Sequence, residues 1–264
     1  MRVAVAFLTN VPHQQTLDFA KELYKNTIFD VFIVSDSMAK VKPSLYYRTI
    51  QISDEDCIRN GFHNSNISDN ATHIKKNPIA YDKFLFYFCK MDTRYDFIWV
   101  FEDDVFIPKV DSILKLHIKY ASDYDLVTPN NWLKANEVLD WHWKSIVNNI
   151  EPPYYYSMVC AMGIGRKLLQ KISEYVDANK SLFYIESMFN TIAMQNNLKV
   201  KDAKELKSIV WMGEWGIDEF ILLPDNLFHP KKNIEEHWLY RKQISKAIVQ
   251  KYRPKKKLPP FLLD

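Results

Sequence analysis

The chain has 264 residues, 47% hydrophobic and 14% aromatic, enough to bury a large core, so disorder is excluded and one large domain with at most a small appendage is expected. Against 35 Lys and Arg stand 32 Asp and Glu, a net charge of +3 that gives no general case for a nucleic-acid partner. Only five glycines argue against a Gly-rich dinucleotide fold and against low-complexity linkers, and Gly163-Ile164-Gly165 lacks the third glycine of a phosphate-binding fingerprint.

Arg2 to Leu8 reads as an apolar strand ending at Thr9-Asn10, and the segment from about His13 to Lys25 as a helix with Leu17, Ala20, Leu23 and Tyr24 on one face. A second strand, Asp30 to Val34, ends in Ser35-Asp36. Strand, helix and strand in so short a span make a βαβ unit, hence a sheet that starts parallel and carries polar residues at its carboxyl edge, where open α/β sheets bind ligands. Tyr46 to Ile52 reads as a further strand and Asp54 to His73 as a polar, turn-rich loop. Asn77-Pro78 has the signature of a helix start, followed by an aromatic helix from Ile79 to Met91 with Tyr81, Asp82 and Lys83 in its first turns. The apolar strand within Tyr95 to Pro108 comes next. Beyond it, strands are expected at Asp125 to Thr128, Ser157 to Met162 and Ser208 to Met212, with helices at about Ile164 to Val176, Ser181 to Asn196 and Ile234 to Gln250. No internal repeat is present.

Cys57, Cys89 and Cys160 are odd in number and far apart, which reads as buried thiols in a reducing compartment rather than a disulfide frame. The run Val3 to Leu8 is too short for a signal-peptide core or a bilayer span, so the expectation is a cytoplasmic protein without a transmembrane segment. The sequons at Asn66, Asn70 and Asn179 are at chance level for so Asn-rich a chain. Lys251, Arg253, Lys255, Lys256 and Lys257 make residues 251–264 a basic tail that could touch an acidic membrane surface.

The most informative feature is the abrupt end of the apolar strand in Glu102-Asp103-Asp104. Ionised carboxylates this close repel one another and are expensive to dehydrate, so a strand-end cluster calls for a cation. Oxygen ligands point to Mn²⁺ or Mg²⁺ rather than Zn²⁺. A solvated acidic turn is the bland alternative.

Glu102-Asp103-Asp104 after an apolar strand resembles the DxD-type motif of GT-A-fold glycosyltransferases. Cys160-Ala161-Met162-Gly163-Ile164-Gly165-Arg166-Lys167-Leu168-Leu169 is similar to the strand-to-helix segment framing the acceptor site of such enzymes. Tyr184-Ile185-Glu186-Ser187 looks like their base-supplying motif, and Leu227-Phe228-His229-Pro230-Lys231-Lys232 resembles their C-terminal histidine segment. The similarity covers residues 1 to about 232. It implies a GT-A-like, Rossmann-like mixed α/β sheet flanked by helices in a single domain. Residues 1–130 would bind nucleotide and metal, and 131–250 the acceptor. It also implies a transferase moving a hexose or pentose from a nucleotide-diphosphate sugar to a glycan, glycoprotein or glycolipid.

Within that expectation Asp104 is the first metal ligand. Alternation along an extended segment turns Glu102 the same way, toward the metal or the donor ribose, and Asp103 the other way, toward donor-sugar hydroxyls. His229 completes the metal set. Thr9, Asn10 and Asp36 lie where a base or ribose would bind, and Lys83 and Lys231 could reach the nucleotide or its diphosphate. Glu186 is the expected base of an inverting mechanism, although Ser187 stands where the family pattern has a second acid. Glu214, Asp218 and Glu219 are substitutes, and a retaining mechanism stays open. Trp132, Trp141 and Trp143 are the acceptor-site candidates, because sugar C–H faces pack on such rings. The rival readings are a two-metal phosphoryl or nucleotidyl transferase and a non-catalytic carbohydrate- or nucleotide-binding relative.

Overall fold

The computed structural model describes residues 1–36, 41–64, 78–134 and 143–252. In chain order the strands are β1 (Val3–Thr9), β2 (Asp30–Ser35), β3 (Arg48–Ile50), β4 (Phe97–Glu102), β5 (Leu126–Thr128), β6 (Trp132–Leu133), β7 (Tyr155–Tyr156), β8 (Ala161–Gly165) and β9 (Val200–Asp202). The first helices are α1 (Gln14–Asn26), α2 (Asp54–Arg59), α3 (Ala80–Phe86), α4 (Val110–Tyr120) and α5 (Trp143–Val147). Then come α6 (Arg166–Asn179), α7 (Ile185–Gln195), α8 (Ile217–Leu222) and α9 (His237–Tyr252).

Seven strands form one mixed sheet in the order β3-β2-β1-β4-β8-β5-β9, with β6 and β7 paired separately. The β3-β2-β1-β4 half is parallel, as the βαβ reading requires, while β8 runs antiparallel to both β4 and β5. Both faces of the central strands are covered, so β1, β2, β4 and β8 are apolar along almost their whole length, while the edge strands β3 and β9 carry polar residues. Ala4, Ala6 and Leu8 of β1 face a core closed by α3, α6 and α7. Val3, Val5 and Phe7 face one closed by α1 and α4. Gly163 in β8 is fixed by packing: a Cβ there would stand 2.6 Å from the Phe97 ring and 2.9 Å from that of Trp99. The Gly-x-Gly is thus a core-packing device.

A third, smaller apolar cluster positions the site. Phe106, Phe220, Phe228 and Ile244 pack together, and Phe106 and Phe228 exchange backbone hydrogen bonds of 2.8 and 3.0 Å. That bridge carries the chain segment after Phe228 back to the end of β4. Arg241 of α9 lies over the Phe19 ring at 3.9 Å and donates to the Ile107 carbonyl, closing the unit against α1.

Several elements differ from the sequence reading. The supposed loop opens as α2, because Ser53 caps it through Oγ, 3.0 Å from the Asp56 N–H, and Asp54, Glu55 and Asp56 fill its first turn. The strand expected over residues 46–52 pairs only at Arg48–Ile50. That expected over 157–162 pairs from Ala161 on, where two glycines let β8 pass close to β4 and Asp125. Residues 208–212 form no strand of the sheet; Ile209 bridges His229 alone. The start of α3 is capped by carboxylates: Asp36 accepts from the Ala80 N–H, and Asp82 from that of Ile79 at 2.7 Å. The helix then widens into a π turn over Tyr87–Met91. Among the described residues no helix is long and apolar enough to cross a membrane.

Candidate active site

The carboxyl ends of β1, β2 and β4, three neighbouring parallel strands, deliver Thr9, Ser35-Asp36 and Glu102-Asp103-Asp104 to one edge of the sheet. The alternation expected of the acidic run holds. Asp103 turns to β1 and accepts a hydrogen bond from Thr9 Oγ1. Glu102 and Asp104 both neighbour His229.

Asp104 Oδ1 is buried and makes no hydrogen bond among the described residues, and it stands 3.4 Å from His229 Nε2. The imidazole is oriented from behind. Its Nδ1 lies 2.8 Å from the Val210 carbonyl, which can only accept, so Nδ1 carries a proton and Nε2 is the nitrogen turned to the acids. Burial presses the His229 pKa down, but the Asp104 carboxylate, the Val210 carbonyl and Glu102 together hold it above the ordinary range.

Glu102 Oε1 is 2.9 Å from the Tyr81 hydroxyl, which is equally 2.9 Å from the Val159 carbonyl. One phenolic proton thus stands between two acceptors, and its bond to Glu102 favours the carboxylate. Burial, and then the charge of Asp104, raise its pKa against the opposing pull of His229 and Tyr81. Opposite Glu102, in the antiparallel partner strand, lies Cys160, whose carbonyl accepts from the Glu102 N–H at 2.8 Å. Burial and the charges of Glu102, Asp104 and Glu186 push this thiol far up. Carboxylate oxygen, thiol sulfur and imidazole nitrogen of Glu102, Cys160 and His229 lie within 4.8 Å of one another.

Glu186, at the start of α7, reaches the same neighbourhood. Burial and the nearby Glu102 raise its pKa to about 7, with His229 acting against them. Ser187 serves the framework instead. Its hydroxyl donates to the Tyr155 carbonyl at 3.0 Å and meets Thr191 Oγ1, also at 3.0 Å, tying α7 to β7. Of the substitutes, Glu219 accepts from the Gly216 N–H and caps α8.

The expected nucleotide contacts are placed unequally. Asn10 is exposed, its carbonyl accepting from Ser35 Oγ at 3.0 Å. Lys83 is only 1% exposed, with Nζ 2.6 Å from the Asp36 carbonyl and 2.9 Å from Asp54, so it ties the end of β2 to α2. Asp36 meanwhile uses its carboxylate on α3. Lys231 donates its backbone N–H to the Asp104 carbonyl, while its Nζ bonds the Trp215 carbonyl and the Tyr240 hydroxyl. Trp132 is half exposed beside Tyr156 on the β6-β7 ribbon. Trp143 is buried against Tyr154 and Tyr156 and offers no open face, and Trp141 lies outside the described residues.

Two members of the site, Tyr81 and Cys160, went unassigned in the sequence. Tyr81 sits one helical turn from Phe84 and Leu85 and reads as core, and Cys160 reads as an apolar thiol. The one available signal was Cys160's place at the start of the motif segment.

This topology, with its acidic strand end at the sheet edge, is the GT-A glycosyltransferase fold. The galactosyltransferase LgtC, solved with donor and acceptor sugar analogues, superposes with a TM-score of 0.50 at 14% identity, over 92% of this chain and 96% of that one. An active-site mutant of LgtC gives 0.50 at 12% identity, over 94% and 96%. Mouse xyloside xylosyltransferase 1 gives 0.44 at 11%, over 88% and 98%. No family model and no curated protein matches the sequence.

Proposed function

We propose that the protein is a metal-dependent glycosyltransferase that moves a hexose or pentose from a nucleotide-diphosphate sugar to a hydroxyl of a glycan, glycoprotein or glycolipid, with inversion. The observation that carries this reading is the buried Oδ1 of Asp104, which makes no hydrogen bond among the described residues and stands 3.4 Å from His229 Nε2, in a ring oriented through Nδ1 by the Val210 carbonyl. Like charges packed beside an orphaned acceptor are costly without a cation, and this donor set fits one. Asp104, Glu102 and His229 would hold Mn²⁺ or Mg²⁺, which when bound stabilises the charge developing on a departing diphosphate.

The chain's own groups supply the rest. Thr9, Asn10 and Asp36 would line the edge where the nucleoside lies, with Lys83 shaping it from beneath, and Asp103, bonded to Thr9, would meet donor-sugar hydroxyls. Lys231 holds the Asp104 carbonyl. Glu186, with a pKa near neutrality, takes the acceptor hydroxyl's proton, the ideal condition for a general base at physiological pH. Trp132 offers the acceptor an apolar face. In this reading residues 1–130 serve donor and metal and 131–250 the acceptor, while the basic residues after 250 give peripheral contact with acidic surfaces. Three buried thiols fit a reducing, cytoplasmic setting.

Calorimetry with uridine, guanosine, cytidine and adenosine diphosphates, with and without Mn²⁺, tests the proposal. At least one should bind in the presence of the ion and be lost in Asp104→Asn. Absence of any nucleotide binding, or unchanged binding in the variant, overturns it.

A further inference from the structure

Resting on the metal-site reading above, we propose that Cys160 supplies a thiolate ligand to the same centre, and that the centre is therefore thiophilic, taking Co²⁺, Zn²⁺ or Cd²⁺ in preference to Mg²⁺. The placement follows from strand register. Phe101 pairs with Ala161 in the antiparallel β4-β8 ladder, so the next pair outward is Glu102 with Cys160, and directly opposed residues project on the same face of a sheet. The Glu102 N–H bond to the Cys160 carbonyl shows that the pairing continues to this point.

Cys160 Sγ thus lies with a Glu102 oxygen and a His229 nitrogen inside a 4.8 Å group, 5% exposed and with His229 only 7% exposed. One ion with bonds of about 2.0 to 2.3 Å needs its donors no more than about 4.6 Å apart, so a small inward shift of these side chains completes the set. The surroundings also set this thiol apart. Cys89 faces the Leu169 carbonyl at 3.3 Å, whereas Cys160 is grouped with the Glu102 carboxylate and the His229 imidazole. Sulfur, nitrogen and carboxylate in one set select borderline and soft ions; an all-oxygen set selects Mg²⁺. On binding, the Sγ–H bond breaks, sulfur keeps the electron pair and bonds the ion, and one proton leaves to the buffer.

The test is a Co²⁺ titration of the full-length protein followed by absorption, which separates ligand-field bands in the visible from thiolate-to-cobalt charge transfer in the near ultraviolet. The expected result is a charge-transfer band that saturates at one ion per chain and persists when Cys57 and Cys89 are both replaced by Ala. It should vanish in Cys160→Ser, which still binds Co²⁺, but about tenfold or more weakly. Ligand-field bands without charge transfer in the wild-type protein would overturn the thiolate assignment while leaving a metal centre in place, and this outcome requires no variant to fold. Failure to bind Co²⁺ and Mn²⁺ alike would remove the metal centre and the thiolate with it.

Discussion

Replacing Glu186 with Gln is expected to move activity and stability in opposite directions. In the folded protein this carboxyl titrates at about 7 against an ordinary 4.5, chiefly because it is buried. Between those two pH values the unfolded chain has lost the proton and the folded chain still holds it, so stability falls as pH rises through this window and is level above it. At roughly 1.4 kcal/mol per unit, a rise from 4.5 to about 7 corresponds to about 3 kcal/mol, an upper figure because the side chain keeps some contact with water. Gln is neutral throughout and escapes that cost. The variant should melt several degrees above wild type at pH 8 and level with it near pH 4.5, measured by thermal unfolding in the presence of a chelator. Transfer should fall by a factor of about 10² to 10⁴, the scale for losing a general base, and the rise of the wild-type rate with pH through neutrality should disappear. A Glu186→Gln protein that melts lower than wild type at pH 8 refutes the burial argument. One that turns over normally refutes the role as base.

Three further outcomes test the frame around the site. Gly163→Ala should cost roughly 1–3 kcal/mol in urea unfolding, since a methyl 2.6 Å from a buried Phe97 ring cannot be accommodated without repacking; an unchanged midpoint would show that the ring yields freely. His237 is held neutral by burial, its pKa down at about 4 despite its bond to the Lys231 carbonyl, so the stability it confers is complete above about pH 6.5 and is lost as pH falls toward 4. His237→Phe should flatten that limb of a stability-versus-pH curve, and an equally steep limb would count against it. Lys83→Met, which strips the Asp36 carbonyl and Asp54 of their shared donor, should lower stability by about 1–3 kcal/mol, and a melting point equal to wild type would remove Lys83 from the framework.

The acids, the βαβ start and His229 were legible because each is written locally: an apolar run stopping at three carboxylates, a change of periodicity, and an imidazole between Phe228 and Pro230. What could not be read depends on partners remote in sequence. Cys160 looks like any apolar thiol until strand register sets it opposite Glu102. Lys83 looks like a free cation until α2 brings Asp54 beside it, and α2 was itself overlooked although Ser53 caps it. Ser187 reads as a missing acid, yet its hydroxyl joins Tyr155 and Thr191. Trp143, drawn by composition toward an acceptor surface, is claimed by the core, since periodicity within a polar segment does not distinguish a ring facing solvent from one packed on Tyr154 and Tyr156.

The antiparallel insertion of β8 between β4 and β5 also bears on how the protein is made. β4 lies at the heart of the finished sheet, but the strand that covers its outer side is synthesised only after α4, β5 and the β6-β7 ribbon. Until then Phe97–Glu102 is an uncovered, almost wholly apolar edge, the kind of surface that recruits other nascent chains. A fragment ending near residue 130 would carry that edge permanently. The acidic strand end is therefore assembled late, when the second half of the chain closes over the first.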